Sequence, residues 1–278
     1  MKTWKKIVLG VSLISLFLGG GLVAWGYSQG GLTDLQNKTI SEQDYVKKEV
    51  KDFNKIDIKS SSYNVLIKNG EVDKATLSYY QKTKNPIDTS VKDGQLTIND
   101  NNSELDSTSN KHINFFGLKD LVRLSTLNKE VRNKTIVITL PKKQTIDFLK
   151  VDLATGNLDL SNSTIKQADI NLNVGDLTFT KMIVSNLKAN LDVGSVDSDH
   201  TLFTNSDLSI AMGDYSGDNL IFNGHNKLDV TSGDIELALK DYMLNVQADS
   251  HSGEVDITNN LKISKDNTLT ITSDLGDI

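Results

Sequence analysis

Val151-Asp152-Leu153-Ala154-Thr155-Gly156-Asn157-Leu158-Asp159-Leu160 is answered nineteen residues later by Ile170-Asn171-Leu172-Asn173-Val174-Gly175-Asp176-Leu177-Thr178-Phe179. In both stretches apolar residues fall on every second position on either side of a glycine. That period of two belongs to a strand, whereas a helix would repeat every 3.6 residues.

From residue 149 onward the comparison finds glycine, a small polar or acidic residue and an apolar residue seven times. The copies are Gly156-Asn157-Leu158, Gly175-Asp176-Leu177, Gly194-Ser195-Val196, Gly213-Asp214-Tyr215, Gly233-Asp234-Ile235, Gly253-Glu254-Val255 and Gly276-Asp277-Ile278. Successive glycines stand 19, 19, 19, 20, 20 and 23 residues apart. Before the glycine, the pairs Val151/Leu153, Ile170/Leu172, Ala189/Leu191, Leu208/Ile210 and Leu228/Val230 should face inward. After it, Leu158/Leu160, Leu177/Phe179, Ile235/Leu237 and Val255/Ile257 should do the same. A third inward position falls nine residues past the glycine, at Ile165, Val184, Phe203, Phe222 and Tyr242.

A coil this short cannot bury its own apolar side, but coils stacked at strand spacing (about 4.8 Å) give one another partners. The sequence therefore predicts an all-β, parallel β-helix-like solenoid with one coil per repeat of 19–20 residues. Glycine belongs at the corner because a tight bend often needs positive φ, which only glycine adopts without cost. The corner column Asn157, Asp176, Ser195, Asp214, Asp234, Glu254 and Asp277 reads as a solvated acidic edge. A calcium ladder is the sharper alternative; against it, the Gly-Gly-x-Gly-x-Asp nonapeptide is missing, and hard cations want several oxygens converging.

The N-terminus is set apart from this pattern. Lys2, Lys5 and Lys6 precede an uncharged run from Ile7 to Tyr27, enough to cross a bilayer as a helix (about 20 residues). Basic residues before the run place residues 1–6 in the cytoplasm and the bulk of the chain outside. A cleaved signal peptide is the alternative, since Ala24-Trp25-Gly26 offers small residues. Residues 28–50 then read as a linker and 51–278 as the solenoid, with 99–134 an irregular insertion. Without the three tail lysines, 27 Lys and Arg face 36 Asp and Glu, so the exported part is acidic and has no electrostatic reason to bind nucleic acid. The absence of cysteine fits an exported protein that does without disulfides, and fits a cytosolic one equally well.

Residues 52–82 look like a less regular version of the same plan, with Phe53, Ile56, Ile58, Val65, Ile67, Ala75, Leu77 and Tyr79 inward. Asp93-Gly94 between alternating segments signals a hairpin. Ile136 to Pro141 restarts the strands, and Pro141, which has no amide hydrogen, ends that one. Within the insertion, Phe115, Phe116 and Leu118 head a helix-like apolar stripe that is either a lid over the solenoid or a contact surface.

The order Phe53 to Ile58, Asp93 to Ile98, Ile136 to Pro141, Thr155 to Leu158 and Ser232 to Ile235 resembles the bacterial candidate-adhesin β-strand-repeat family. That family is a domain of unknown function which includes LiaG-like and LiaX-like envelope proteins. The resemblance covers roughly residues 50–278 and implies a right-handed parallel β-helix-like fold on a bacterial envelope, beside stress-signalling or adhesion systems. It implies no catalytic residues.

The residues themselves offer no chemistry either. His112, His200, His225 and His251 are scattered without metal-site spacing, and neither a nucleophile elbow nor a phosphate-cradling loop occurs. No cofactor is implied. Lys and Arg in the repeat half show no periodic column, which argues against a polysaccharide-cleaving β-helix. The expectation is a non-catalytic envelope protein that binds or modulates a membrane-stress or signalling partner. Surface adhesion or a spacer role is one alternative, and a carbohydrate-active enzyme is the other. Leu269, Ile271, Leu275 and Ile278 carry the inward pattern to the end, so the C-terminal coil should present an open edge for self-association.

Overall fold

The computed structural model describes residues 43–82, 86–100, 134–240, 243–256 and 263–278. The membrane segment at 7–27 and Phe115, Phe116 and Leu118 lie outside the described residues. Among the described residues every regular element is a strand.

The first strands are β1 (Gln43–Glu49), β2 (Lys55–Ser60), β3 (Asn64–Gly70), β4 (Thr76–Lys82), β5 (Asp88–Lys92), β6 (Gln95–Asn99) and β7 (Thr135–Pro141). The repeats supply β8 (Thr145–Ile146), β9 (Phe148–Thr155), β10 (Leu158–Ser161), β11 (Thr164–Ile165), β12 (Ala168–Val174), β13 (Leu177–Thr180), β14 (Ile183–Ser185) and β15 (Leu187–Val193). They continue as β16 (Val196–Asp199), β17 (Leu202–Thr204), β18 (Asp207–Met212), β19 (Tyr215–Asn223) and β20 (His225–Ser232). The last three are β21 (Ile235–Leu239), β22 (Asn245–Ser252) and β23 (Thr268–Leu275).

Each repeat contributes one strand to each of three faces. On the first face β3, β10, β13, β16 and the start of β19 pair in parallel, and on the second β8, β11, β14, β17 and the end of β19 do so. The third face carries β2, β9, β12, β15, β18 and β20. β19 runs through the corner and joins the first two faces into a 13-stranded sheet; the third belongs to a 10-stranded one. Pairing is in register with the repeat, Leu158 against Leu177 and Leu177 against Val196, so like positions stack. The predicted inward residues before the glycine are buried without exception, as are Ile165, Val184, Phe203 and Phe222. Phe179 meets Phe203 edge-on at 5.3 Å, and Phe203 stacks on Phe222 at 5.6 Å between centroids. Aromatic pairs in such geometries add roughly 0.5–1.5 kcal/mol beyond burial.

At both ends spatial order departs from chain order. β2 lies between β9 and β6, although β6 follows it in sequence, and β5 closes that edge antiparallel through the Asp93-Gly94 turn. On the first face β7 follows β3, then β4 antiparallel, then β1. Residues 43–49, read from sequence as linker, are thus a strand of the sheet. At the other end β23 pairs with β20 on one side and β22 on the other. This corrects the expected C-terminal edge: β23 is interior, and Leu275, expected inward, is 57% exposed while Ser273 takes the buried place.

Candidate functional site

The glycine corner is where the sequence pattern concentrates. Gly175, Gly194 and Gly213 hold φ of 151°, 148° and 144°, a region closed to side chains. A β-carbon on any of the three would overlap the carbonyl oxygen of the corner glycine one coil below. The column runs in space Gly156, Gly175, Gly194, Gly213, Gly233, Gly276, Gly253, with the last two exchanged relative to sequence.

The residue after each glycine binds between coils. Asn157 Oδ1 accepts the Asp176 N–H at 3.1 Å, Asp176 Oδ1 accepts Ser195 N–H at 3.0 Å, and Asp214 Oδ1 accepts Asp234 N–H at 3.0 Å. Asp234 and Asp277 continue the ladder to Asp277 N–H and Glu254 N–H at 2.9 and 2.8 Å. The acidic edge is thus more than solvated surface, since one oxygen of each of these side chains is engaged by the next coil's backbone. Among the described residues no three carboxylate or imidazole groups converge as a metal site would require.

Two other corners escaped the sequence reading. Asn162, Lys181, His200 and Asn219 form one column at φ of 52°, 53°, 49° and 53°, and Asn186, Asn205 and Gly224 another at 47°, 55° and 65°. Asn tolerates the left-handed region and would have signalled them, but Lys181 and His200 carry no such signal.

The outward side of the third face is ordered as well. Register places Asp57, Lys150, Asp169, Lys188, Asp207 and Lys227 on successive rungs, alternating in sign. This corrects the expectation that lysines form no periodic column: the charge repeats every second coil, which a search at one-coil spacing misses. Beside it Asn190 donates to Asn171 and Asn171 to Asp152, both at 2.9 Å. An open groove of about 440 Å³ adjoins this ladder at Lys59, Ser60, Asn99 and Asp100. Asp100 there accepts from Ser60 Oγ at 3.2 Å and from Ser61 Oγ at 2.9 Å, which ties the Ser60–Ser61 turn to the end of β6.

On the first face, Asp159 points outward between Leu158 and Leu160 yet is only 2% exposed. Burial pushes its carboxyl up to about 7, opposed by a hydrogen bond from Thr178 and reinforced by Asp176 and Asp197. Among the described residues its Oδ2 and Thr180 Oγ1 are buried without a hydrogen-bond partner. On the second face Ile183, Leu202 and Ile221 stack outward as an aliphatic row beside Lys181 and Lys240.

This stacked-coil pattern has a family counterpart, because residues 53–278 match the family model Toastrack DUF4097. The chain belongs to the Toastrack family. Among solved structures, the Toastrack domain matches a candidate cell adhesion protein from Clostridium sporogenes, 16% identical with a TM-score of 0.35, covering 85% of this chain and 98% of that one. A candidate adhesin from Bacteroides fragilis is 16% identical with a TM-score of 0.29, covering 85% and 96%. A candidate lipid binding protein from Parabacteroides distasonis is 10% identical with a TM-score of 0.34, covering 86% and 98%. No curated protein matches the chain.

Proposed function

We propose that this is a non-catalytic envelope protein, held in the cell membrane by residues 7–27 with its Toastrack domain outside, that binds and modulates a membrane-stress or signalling partner. The observation that carries the reading is how the polar groups are used. Among the described residues, corner carboxylates and face amides are spent on coil-to-coil hydrogen bonds, which makes the domain a ruled surface of stacked coils. Such a surface suits recognition by shape and register. The basic N-terminal flank and the long apolar run support the orientation.

Photo-crosslinking from the domain in intact cells tests the proposal, with capture of a membrane signalling protein expected. Recovery of wall polymer or neighbouring-cell surface alone would replace it with adhesion, and release of sugars from cell-wall glycan by the purified chain would replace it with catalysis.

A further inference from the structure

We propose that β22 is a self-pairing edge through which two copies of the chain join antiparallel, tail to tail. The inference goes beyond partner modulation and does not depend on it. Among the described residues β22 has a strand on one side only, β23. Among the described residues the core rows stop there: Leu228, Val230, Leu269 and Ile271 are buried, whereas Val246 and Ala248 on the same rows are half-buried, and Val255 in the outermost coil is 39% exposed. The far end is finished differently. There β4 runs antiparallel to β7 and β5 to β6, and the outer strands β1 and β5 carry Lys47, Lys48, Glu49, Asp88 and Lys92, the charges that protect an edge from pairing.

β22, Asn245-Val246-Gln247-Ala248-Asp249-Ser250-His251-Ser252, has no lysine, no proline and no bulge. A two-fold axis keeps the core-facing side of both copies on one side of the joined sheet, so only residues of like parity can oppose each other. Centring the axis on Gln247 sets Val246 against Ala248 of the second copy and Asn245 against Asp249, apolar on apolar and amide on carboxylate. Centring it on Asp249 would set two carboxylates face to face, which like-charge pairing disfavours. Head-to-tail stacking would bring the open parallel edge onto the charged antiparallel cap, leaving the closed dimer as the fit.

The chain has no cysteine, so single cysteines report proximity cleanly. Opposed residues in an antiparallel pair lie about 4.5–5.5 Å apart at Cα, inside the disulfide range. Full-length chain in detergent micelles, carrying Gln247→Cys, should oxidise to a dimer at least about ten-fold faster than Asp249→Cys, whose own copy lies about 13 Å away. Mixed Asn245→Cys and Asp249→Cys chains should form the heterodimer, and Asp93→Cys at the opposite end should not cross-link. Sedimentation of the cysteine-free chain gives the second readout, with a monomer–dimer equilibrium expected. A monomer at all concentrations, or a dimer that Gln247→Cys does not trap above the Asp93→Cys level, overturns the proposal.

Discussion

The carbonyl oxygen of Gly175 occupies the space that a β-carbon on Gly194 would need. The two constraints at Gly194, its φ of 148° and this close approach, act together, so no rotamer choice relieves a substitution. Gly194→Ala is expected to cost at least about 2 kcal/mol, because backbone strain and overlap must both be relaxed in the middle of the stack. Gly253→Ala shares the overlap but lies in the outermost coil, and should cost less. Denaturant unfolding of both variants checks the order.

The corner ladder separates hydrogen bonding from charge. Asp214→Ala removes the acceptor of the Asp234 N–H and should cost about 1 kcal/mol. Asp214→Asn keeps the oxygen and removes a carboxylate one rung from Asp234, so it should be neutral or stabilising. Equal losses in thermal unfolding of the two variants would mean that the charge, not the acceptor, matters.

Asp159 gives the fold a pH dependence with a definite sign. Its folded carboxyl titrates near 7, above the ordinary value of 3.8, so the unfolded chain gives up that proton first. Stability from this group is therefore full below about pH 4 and is lost as pH rises through about 7. Asp159→Asn should flatten that slope and be more stable than the parent at pH 8 by a few kcal/mol, on the order of 2–4. Unfolding midpoints between pH 4 and pH 8 test this, and parallel curves for the two proteins would refute it.

The alternating rungs on the third face predict a salt effect. Lys188→Glu puts a third acid between Asp169 and Asp207, and should cost about 0.5–1 kcal/mol at low ionic strength. The loss should shrink at molar salt, where screening shortens to about 3 Å. Melting at two salt concentrations distinguishes this from a packing defect, which salt would leave in place.

The repeat was legible because burial enforces a two-residue period and the Gly175-Gly194 type of contact enforces glycine; both are local constraints written into each coil. The corners at Lys181 and His200 were hidden because a left-handed residue at a solvent-exposed bend tolerates many side chains at modest cost. The Asp57 to Lys227 alternation repeats over two coils, so it emerges only once register is known. The exchange of β22 and β23 was illegible for another reason: Gly253 and Gly276 carry the same motif, and nothing within either copy says which lies farther out. The buried Asp159 was likewise indistinguishable from the exposed acids at equivalent positions, since what makes it different is the packing around it.

The insertion of β23 beneath β22 separates the order of assembly from the order of synthesis. The outermost rung has no floor until residues 268–275 have been made, so steady zippering along the chain would stall before its final two turns. In a nascent molecule β22 therefore waits for its neighbour, and the outer edge of this sheet is finished from inside outward only after the later strand exists.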